Sequence, residues 1–337
     1  MVSMACMKQI RVGIIGSGGM AGVRAEHFEA FDDSVVAAVA ARNTETGRAL
    51  AERYRATLYP DWRDVTAHDQ LDAVCITTHN ALHGEIALEA LARGKAVFSE
   101  YPACRRPGEA ASLMRWIERD DCPVVTYTHR EPLSRVHAAL RARASRLGRP
   151  IAAHFSRVTP GRGKRPQILF NLAQSGPPAL FFVYHVHPVL DLFGVWDRVV
   201  STAAYSELRD DDGYERFINT LSVSFGNGAL GDWYWAGGVT VPQAEESLRF
   251  IFENGSMKRT AQNWESHPAS TPDEPIDEIS NLEQAVSRRF VDFALDPAQG
   301  RWRPSARQAI EAAAIGIAAE ISQQEHRAVE RSEILGR

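Results

Sequence analysis

Cysteine is scarce in this chain: four residues in 337, and none of Cys6, Cys75, Cys104 and Cys122 forms a C-x-x-C pair. Neither a disulfide framework nor a cysteine-based zinc centre is therefore expected. Long apolar runs are also missing. None approaches the roughly 18 residues that would span a bilayer, and Met1 to Ile10 has too short an apolar core for a signal peptide. Charge of one sign is not in excess either: 38 Lys and Arg stand against 42 Asp and Glu, a net charge of -4. No global field is present to hold nucleic acid or an anionic membrane surface. These absences predict a cytoplasmic protein with free thiols that binds neither nucleic acid nor membrane.

What is present is enough apolar residue, 45% of the chain, for more than one core, and two domains are expected. From Ile10 to Tyr127 short apolar runs (Ile10 to Ile15, Val35 to Ala40, Ala73 to Thr77, Ala96 to Ser99, Val124 to Tyr127) alternate with longer amphipathic segments. Thr44 to Arg55, Leu82 to Ala92 and Pro107 to Asp120 read as helices. This is the pattern of a doubly wound parallel sheet, a Rossmann-type α/β domain over residues 1-130. Residues 131-337 change period after a helix from Pro132 to Leu147. Ile151 to Val158, Val199 to Glu207, Phe217 to Phe225, Leu230 to Trp235 and Leu248 to Phe252 alternate as strands, with hairpin turns at Asn227-Gly228 and Asn254-Gly255. A C-terminal α+β domain with a mostly antiparallel, open sheet follows, closed by helices over Asn281 to Leu295 and Ser305 to Glu330. Pro160 to Pro178, rich in Gly and Pro and carrying Arg162, Lys164 and Arg165, reads as a basic surface loop, either solvated or facing a substrate phosphate or carboxylate.

Gly16, Ser17, Gly18, Gly19, Met20 and Ala21 follow the first strand directly and open a helix. This G-x-G-x-x-A is a dinucleotide fingerprint in its required context. Gly16 permits the turn, Gly18 lets the backbone approach a pyrophosphate, and Ala21 keeps the helix close to the sheet. The second strand ends Val39-Ala40-Ala41-Arg42-Asn43, without the acid that would accept hydrogen bonds from an adenine-ribose diol. Arg42 would instead face a 2′-phosphate or stack on adenine, which predicts NADP(H) over NAD(H) while still admitting NAD(H).

Three motifs together resemble the glucose-fructose oxidoreductase, inositol dehydrogenase and MocA (Gfo/Idh/MocA) family. They are the Gly16 fingerprint, Thr78-His79-Asn80-Ala81-Leu82-His83 matching T-P-N-x-x-H, and Glu100-Tyr101-Pro102 where the family usually has E-K-P. The resemblance implies a Rossmann domain joined to an antiparallel-sheet domain, with Thr78, Asn80 and His83 lining the cofactor. It also implies that Glu100 and Tyr101 border the nicotinamide, with Tyr101-Pro102 a candidate for a cis bond. It further implies a homo-oligomer joined through the C-terminal sheet. The family's central Lys helps bind and polarise a substrate oxygen; here a phenol replaces the ammonium. Tyr101 can still donate a proton, or it can serve as a ring wall.

Polyol-oxidising relatives carry D-x-G-x-H in the second domain. This chain reads Val183-Tyr184-His185-Val186-His187, so His187 matches the family His, while Val183 replaces the Asp and His185 the Gly. Asp191, one turn onward, is the nearest carboxylate to substitute. Tyr101 and His187 are thus the candidate catalytic residues, and His129, Arg130, Glu131, His185 and Asp191 the candidate substrate-pocket residues. No metal is expected, since His185 and His187 are two apart and no third ligand follows at suitable spacing. The implied activity is hydride transfer between nicotinamide and a sugar or cyclic polyol. Glu100-Tyr101-Pro102, His129-Arg130-Glu131 and Asp191-Leu192-Phe193-Gly194 are also similar to the biliverdin reductase branch, which offers reduction of a conjugated substrate as the alternative. A cofactor-binding regulator without turnover is the non-enzymatic one.

Overall fold

A computed structural model describes residues 9–42, 44–161, 167–181, 185–260, 264–268 and 276–336. The chain divides into two compact units, one of Met1–Cys104, Ser112–Arg130 and Asn281–Ala309, the other of Arg105–Ala111, Glu131–Ser280 and Ile310–Arg337. Asn281–Ala309, which the sequence places with the second domain, clusters with the first unit instead. The reason is packing: Phe290 of this segment lies against Phe28 and Phe98.

In the first unit, β1 (Ile10–Ile15), β2 (Ser34–Ala40), β3 (Thr57–Tyr59), β4 (Ala73–Ile76), β5 (Ala96–Ser99) and β6 (Val125–Tyr127) form one sheet in the order β3-β2-β1-β4-β5-β6, every neighbouring pair parallel. β4 is buried at every position, as a strand covered on both faces must be. Crossovers run through α1 (Gly19–Glu29), α2 (Thr44–Tyr54), α3 (Trp62–Thr66), α4 (His83–Ala92) and α5 (Pro107–Glu118). The sequence does not reveal β3 and α3, because three and five residues hold too few apolar positions to show a period.

The second unit starts with α6 (Arg135–Ala144), shorter than the expected Pro132 to Leu147 and capped by Ser134, whose hydroxyl accepts from the His137 amide. β7 (Pro150–Thr159) follows. The loop expected after it falls partly outside the described residues, Arg162, Lys164 and Arg165 included. Its remainder is ordered as a 3-10 turn over Gln167–Phe170 and α7 (Leu172–Ser175), followed by α8 (Pro178–Phe181). Next come α9 (His187–Phe193), β8 (Trp196–Ser206), β9 (Arg216–Phe225), β10 (Leu230–Gly237), β11 (Glu245–Phe252), β12 (Gly255–Arg259) and β13 (Trp264–His267). After α10 (Leu282–Leu295) of the first unit, α11 (Arg303–Glu325) stops five residues short of Glu330, where His326 takes a positive φ. β14 (Val329–Glu330) and α12 (Arg331–Leu335) complete the chain described.

The second sheet runs β13-β12-β11-β7-β10-β9-β8-β14. It is antiparallel except for β7 beside β10, so the α/β plus mostly antiparallel α+β architecture is observed. β9 alternates buried and exposed residues along most of its length, giving the sheet one covered face and one open one.

Candidate active site

The order of the first sheet reverses between β1 and β4, and in open parallel sheets ligands bind beyond the carboxyl ends of the strands at such a switch point. Gly16 stands there with φ +123, its amide donating to Ala40 O at 2.9 Å. A Cβ at Gly16 would come within 2.5 Å of Thr77 Oγ1 and 2.8 Å of Thr77 O, so no side chain fits. Gly18 and Gly19 differ: nothing lies within 4 Å of an added Cβ at either. Their backbone faces open space at the start of α1, a helix with no side-chain cap and no acid in its first turn. Such amides suit a phosphate. Ser17 Oγ lies 2.7 Å from Thr46 Oγ1, Met20 is exposed, and Ala21 is buried against the sheet. Arg42 is exposed beyond β2.

Beyond β4, Thr78 is half-buried, its hydroxyl donating to His79 O at 3.3 Å, and Asn80 is buried at the start of a 3-10 turn. The family resemblance implies that His83 lines the cofactor, yet it is 1% exposed and its ring spans two carbonyls. Nδ1 lies 2.8 Å from Pro102 O and Nε2 3.0 Å from Thr78 O. It joins the two loops from beneath. Glu100 likewise points inward, where its Oε1 accepts from Arg24 Nε at 2.8 Å and its Oε2 from Thr128 Oγ1 at 2.7 Å. Tyr101, between these anchors, is 36% exposed, and its bond to Pro102 is cis.

Sequence reasoning missed Arg24. It is 1% exposed in the stripe Ala21, Arg24, Ala25, Phe28 and also meets Glu283 Oε2 at 2.8 Å. Burial works against its charge, but Glu100 and Glu283 hold its pKa above the usual value. Arg130 reaches the same Glu283. His129, expected at the pocket edge, is buried, with Nε2 2.9 Å from Ser305 Oγ. Burial, aided by the Arg289 charge, pushes its pKa down to about 4, so it is neutral at neutral pH.

In the second unit Glu131 is half-buried, and His187 is a buried residue opening α9, with Pro188 behind it. Val183 lies outside the described residues. Asp191 does not serve His187: its Oδ2 accepts from His137 Nε2 at 2.8 Å, with Arg141 Nη1 3.6 Å away. Burial alone would raise the Asp191 pKa, but these partners hold it below the carboxylate range. His185 is buried with its ring 4.2 Å from that of Phe155, and its Nε2 accepts from Arg157 Nη1 at 3.0 Å. Burial, then the charges of Arg157 and Arg259, drive its pKa well down. It is a neutral acceptor. Among the described residues no group of three His, Cys, Asp or Glu is placed to hold a metal, and no helix is long and apolar enough to cross a membrane.

Comparison with known proteins agrees with this geometry. The profile of the oxidoreductase family, NAD-binding Rossmann fold, matches residues 10–128. An inositol 2-dehydrogenase from Rubrobacter xylanophilus is 36% identical over 97 residues, 28% of each chain; the match thus spans under a third of that relative's length. The biliverdin reductase of Synechocystis sp. PCC 6803, solved with biliverdin and NADP+, shares the fold with a TM-score of 0.81 at 21% identity, covering 94% of this chain and 99% of that one. Levoglucosan dehydrogenase, solved with NADH and L-sorbose, follows at 0.74 and 18% identity, covering 96% and 99%. Over residues 10–128, with the glycine turn and the Thr78 and Glu100 loops at the carboxyl ends of the strands, the chain thus matches the NAD-binding Rossmann domain of the Gfo/Idh/MocA oxidoreductase family.

Proposed function

We propose that the chain is a cytoplasmic oxidoreductase that binds NADP(H) in preference to NAD(H) and moves a hydride between nicotinamide and a small sugar or cyclic polyol derivative. The observation that carries this reading is the β1–α1 turn, where Gly16 leaves no room for a side chain while Gly18 presents bare backbone to open space. The bound nicotinamide supplies or accepts the hydride. The Gly18 and Gly19 amides would hold the pyrophosphate, and Arg42 the 2′-phosphate. Thr78 and Asn80 sit at the adjoining strand end. Tyr101, held between the Glu100 and Pro102 anchors, would pass a proton from Oη to the substrate oxygen. A phenol can donate this proton to a developing alkoxide and take it back in the reverse direction. His187 is the second acid or base, with Arg130, Glu131 and His185 as further pocket groups.

Titration with both cofactors tests the first half. NADPH should bind more tightly than NADH, Arg42→Ala should erase the difference, and Gly18→Val should abolish binding of both while the melting profile stays normal. Equal or tighter NADH binding overturns the preference, and retained affinity in Gly18→Val overturns the site. Absorbance at the nicotinamide band then separates the substrates. The exchange of the family Lys for Tyr101 favours a second reading, reduction of a conjugated substrate such as a bilin; tight cofactor binding without turnover of any sugar, polyol or bilin would mark a regulator.

The open face of the second sheet, with Val200, Ile218, Leu230 and Ile251 all at least 40% exposed, is proposed to pair with a second copy. A monomer in sedimentation at micromolar concentration would refute that.

A further inference from the structure

Arg24 lies on α1 six residues beyond Gly18, about 9 Å along the helix axis from the amides proposed to hold the pyrophosphate. All three of its guanidinium nitrogens are engaged. Nε donates to Glu100 Oε1 at 2.8 Å, Nη1 donates to Glu283 O at 3.3 Å and Ser287 Oγ at 3.4 Å, and Nη2 lies 2.8 Å from Glu283 Oε2. The guanidinium carbon also sits 5.3 Å from the centre of the Phe98 ring. Glu100 is held as completely. Its second carboxylate oxygen accepts from Thr128 Oγ1 at 2.7 Å, its amide donates to Ile76 O at 3.0 Å, and its carbonyl accepts from Ser99 Oγ at 3.0 Å. Tyr101 is the next residue along the chain.

Side chains that only filled the space under this loop would need no charge, because exchanging a buried ion pair for apolar groups of similar size often leaves stability unchanged or raises it. What the pair supplies is direction. Donors from two separate places, α1 and the residue following β6, dictate where each oxygen of the Glu100 carboxylate lies. An apolar plug in the same space would leave the side chain and the backbone leading into Tyr101 free to settle elsewhere.

We propose that Arg24 is a positioning residue of this site: through Glu100 it sets the place of the Tyr101 hydroxyl relative to a nicotinamide whose pyrophosphate is held at the start of the same helix. One helix then presents the phosphate anchor at its first turn and, through a single guanidinium, aims the loop of the proton donor. The inference rests on the oxidoreductase reading for the role of Tyr101 and adds the group that orients it.

The test labels the eight tyrosines of the full-length protein with 3-fluorotyrosine and reads them by fluorine NMR, the line missing from Tyr101→Phe being that of Tyr101. In the unaltered protein this line should be single and should move when NADPH is added. In Arg24→Met it should shift or split and lose its response to NADPH, while NADPH affinity falls less than about threefold, since the phosphate contacts remain. Glu100→Gln keeps an acceptor for Arg24 and should keep the native line. The deciding variant combines Arg24→Met with Glu100→Leu, an apolar pair that restores packing without direction. A displaced Tyr101 line there, with the other tyrosine lines in place, supports the positioning role. A native line with its NADPH response overturns it, because filling the space would then suffice. Should that protein not fold, or should the other lines also move, Thr128→Val decides by removing one hydroxyl from Glu100: an unchanged Tyr101 line overturns the proposal, and a shifted or split one supports it. Lines read without cofactor test Arg24 alone. Failure of NADPH to bind the unaltered protein sinks the oxidoreductase reading instead.

Discussion

Tyr101 is the exposed tip of a loop whose two neighbours are fixed from below, Glu100 by Arg24 and Thr128, Pro102 by His83. Removing only its hydroxyl keeps the ring and the loop, so Tyr101→Phe isolates proton donation. Turnover should fall roughly a hundredfold, the effect of losing one donor to a developing oxyanion, while cofactor affinity changes little. A drop under about tenfold in steady-state rates would reduce the phenol to a wall for the nicotinamide. A second residue-scale outcome concerns pH. His129 is buried and neutral, with its folded pKa near 4 against about 6.5 when unfolded. The unfolded chain binds the proton more readily, so this contribution is fully present above about pH 6.5 and is lost as pH falls toward 4, a change of ~3 kcal/mol at most. Denaturant midpoints measured between pH 7 and 4 should fall less steeply in His129→Gln; parallel curves would contradict the assignment.

Between elements, the Arg24 cluster joins α1, the residue following β5 and α10 through one buried guanidinium. Arg24→Met leaves Glu100, 13% exposed, without its charge partner, whereas Glu283 keeps Arg130. A loss of about 3 kcal/mol in chemical unfolding is expected, and adding Glu100→Gln should recover part of it; two additive losses would show that the groups are not coupled. This cluster also marks how far the sequence can be read. Five of the six strands of the first sheet are legible because parallel strands are almost wholly apolar, β3 being too short to show, and the glycine turn is legible because its spacing is local. Arg24 is not: a charged residue in a helix gives no sign of burial when its partner Glu283 lies 259 residues onward. Asp191 is matched to the wrong histidine for a like reason. Helical spacing points to His187, but His137 on α6 is the ring that reaches it. The parallel contact of β7 with β10 is equally hidden, since periodicity identifies strands and not their neighbours.

At the scale of the molecule, the alternation of helices and strands is enough to divide the chain near residue 130, but not to show that α10 belongs to the first unit. There Arg288 forms a bidentate pair with Asp33 at 2.6 and 2.9 Å, and Phe290 packs on Phe28 and Phe98. A fragment ending at Arg130 lacks all of these. It should bind a hydrophobic dye and melt well below the intact chain, and a peptide of Asn281–Ala309 added in trans should reverse both effects. A fragment that melts cooperatively at the intact chain's temperature would show α10 to be dispensable.

The discontinuity of the first unit has a consequence for synthesis. As the chain leaves the ribosome, all six strands of the first sheet have emerged long before the helix that completes their packing. The face holding Phe28 and Phe98 must therefore wait, through translation of about 150 further residues, for a partner encoded far downstream. At roughly 5–20 residues per second this is a delay of many seconds, during which a nascent-chain chaperone would find its binding surface on that face.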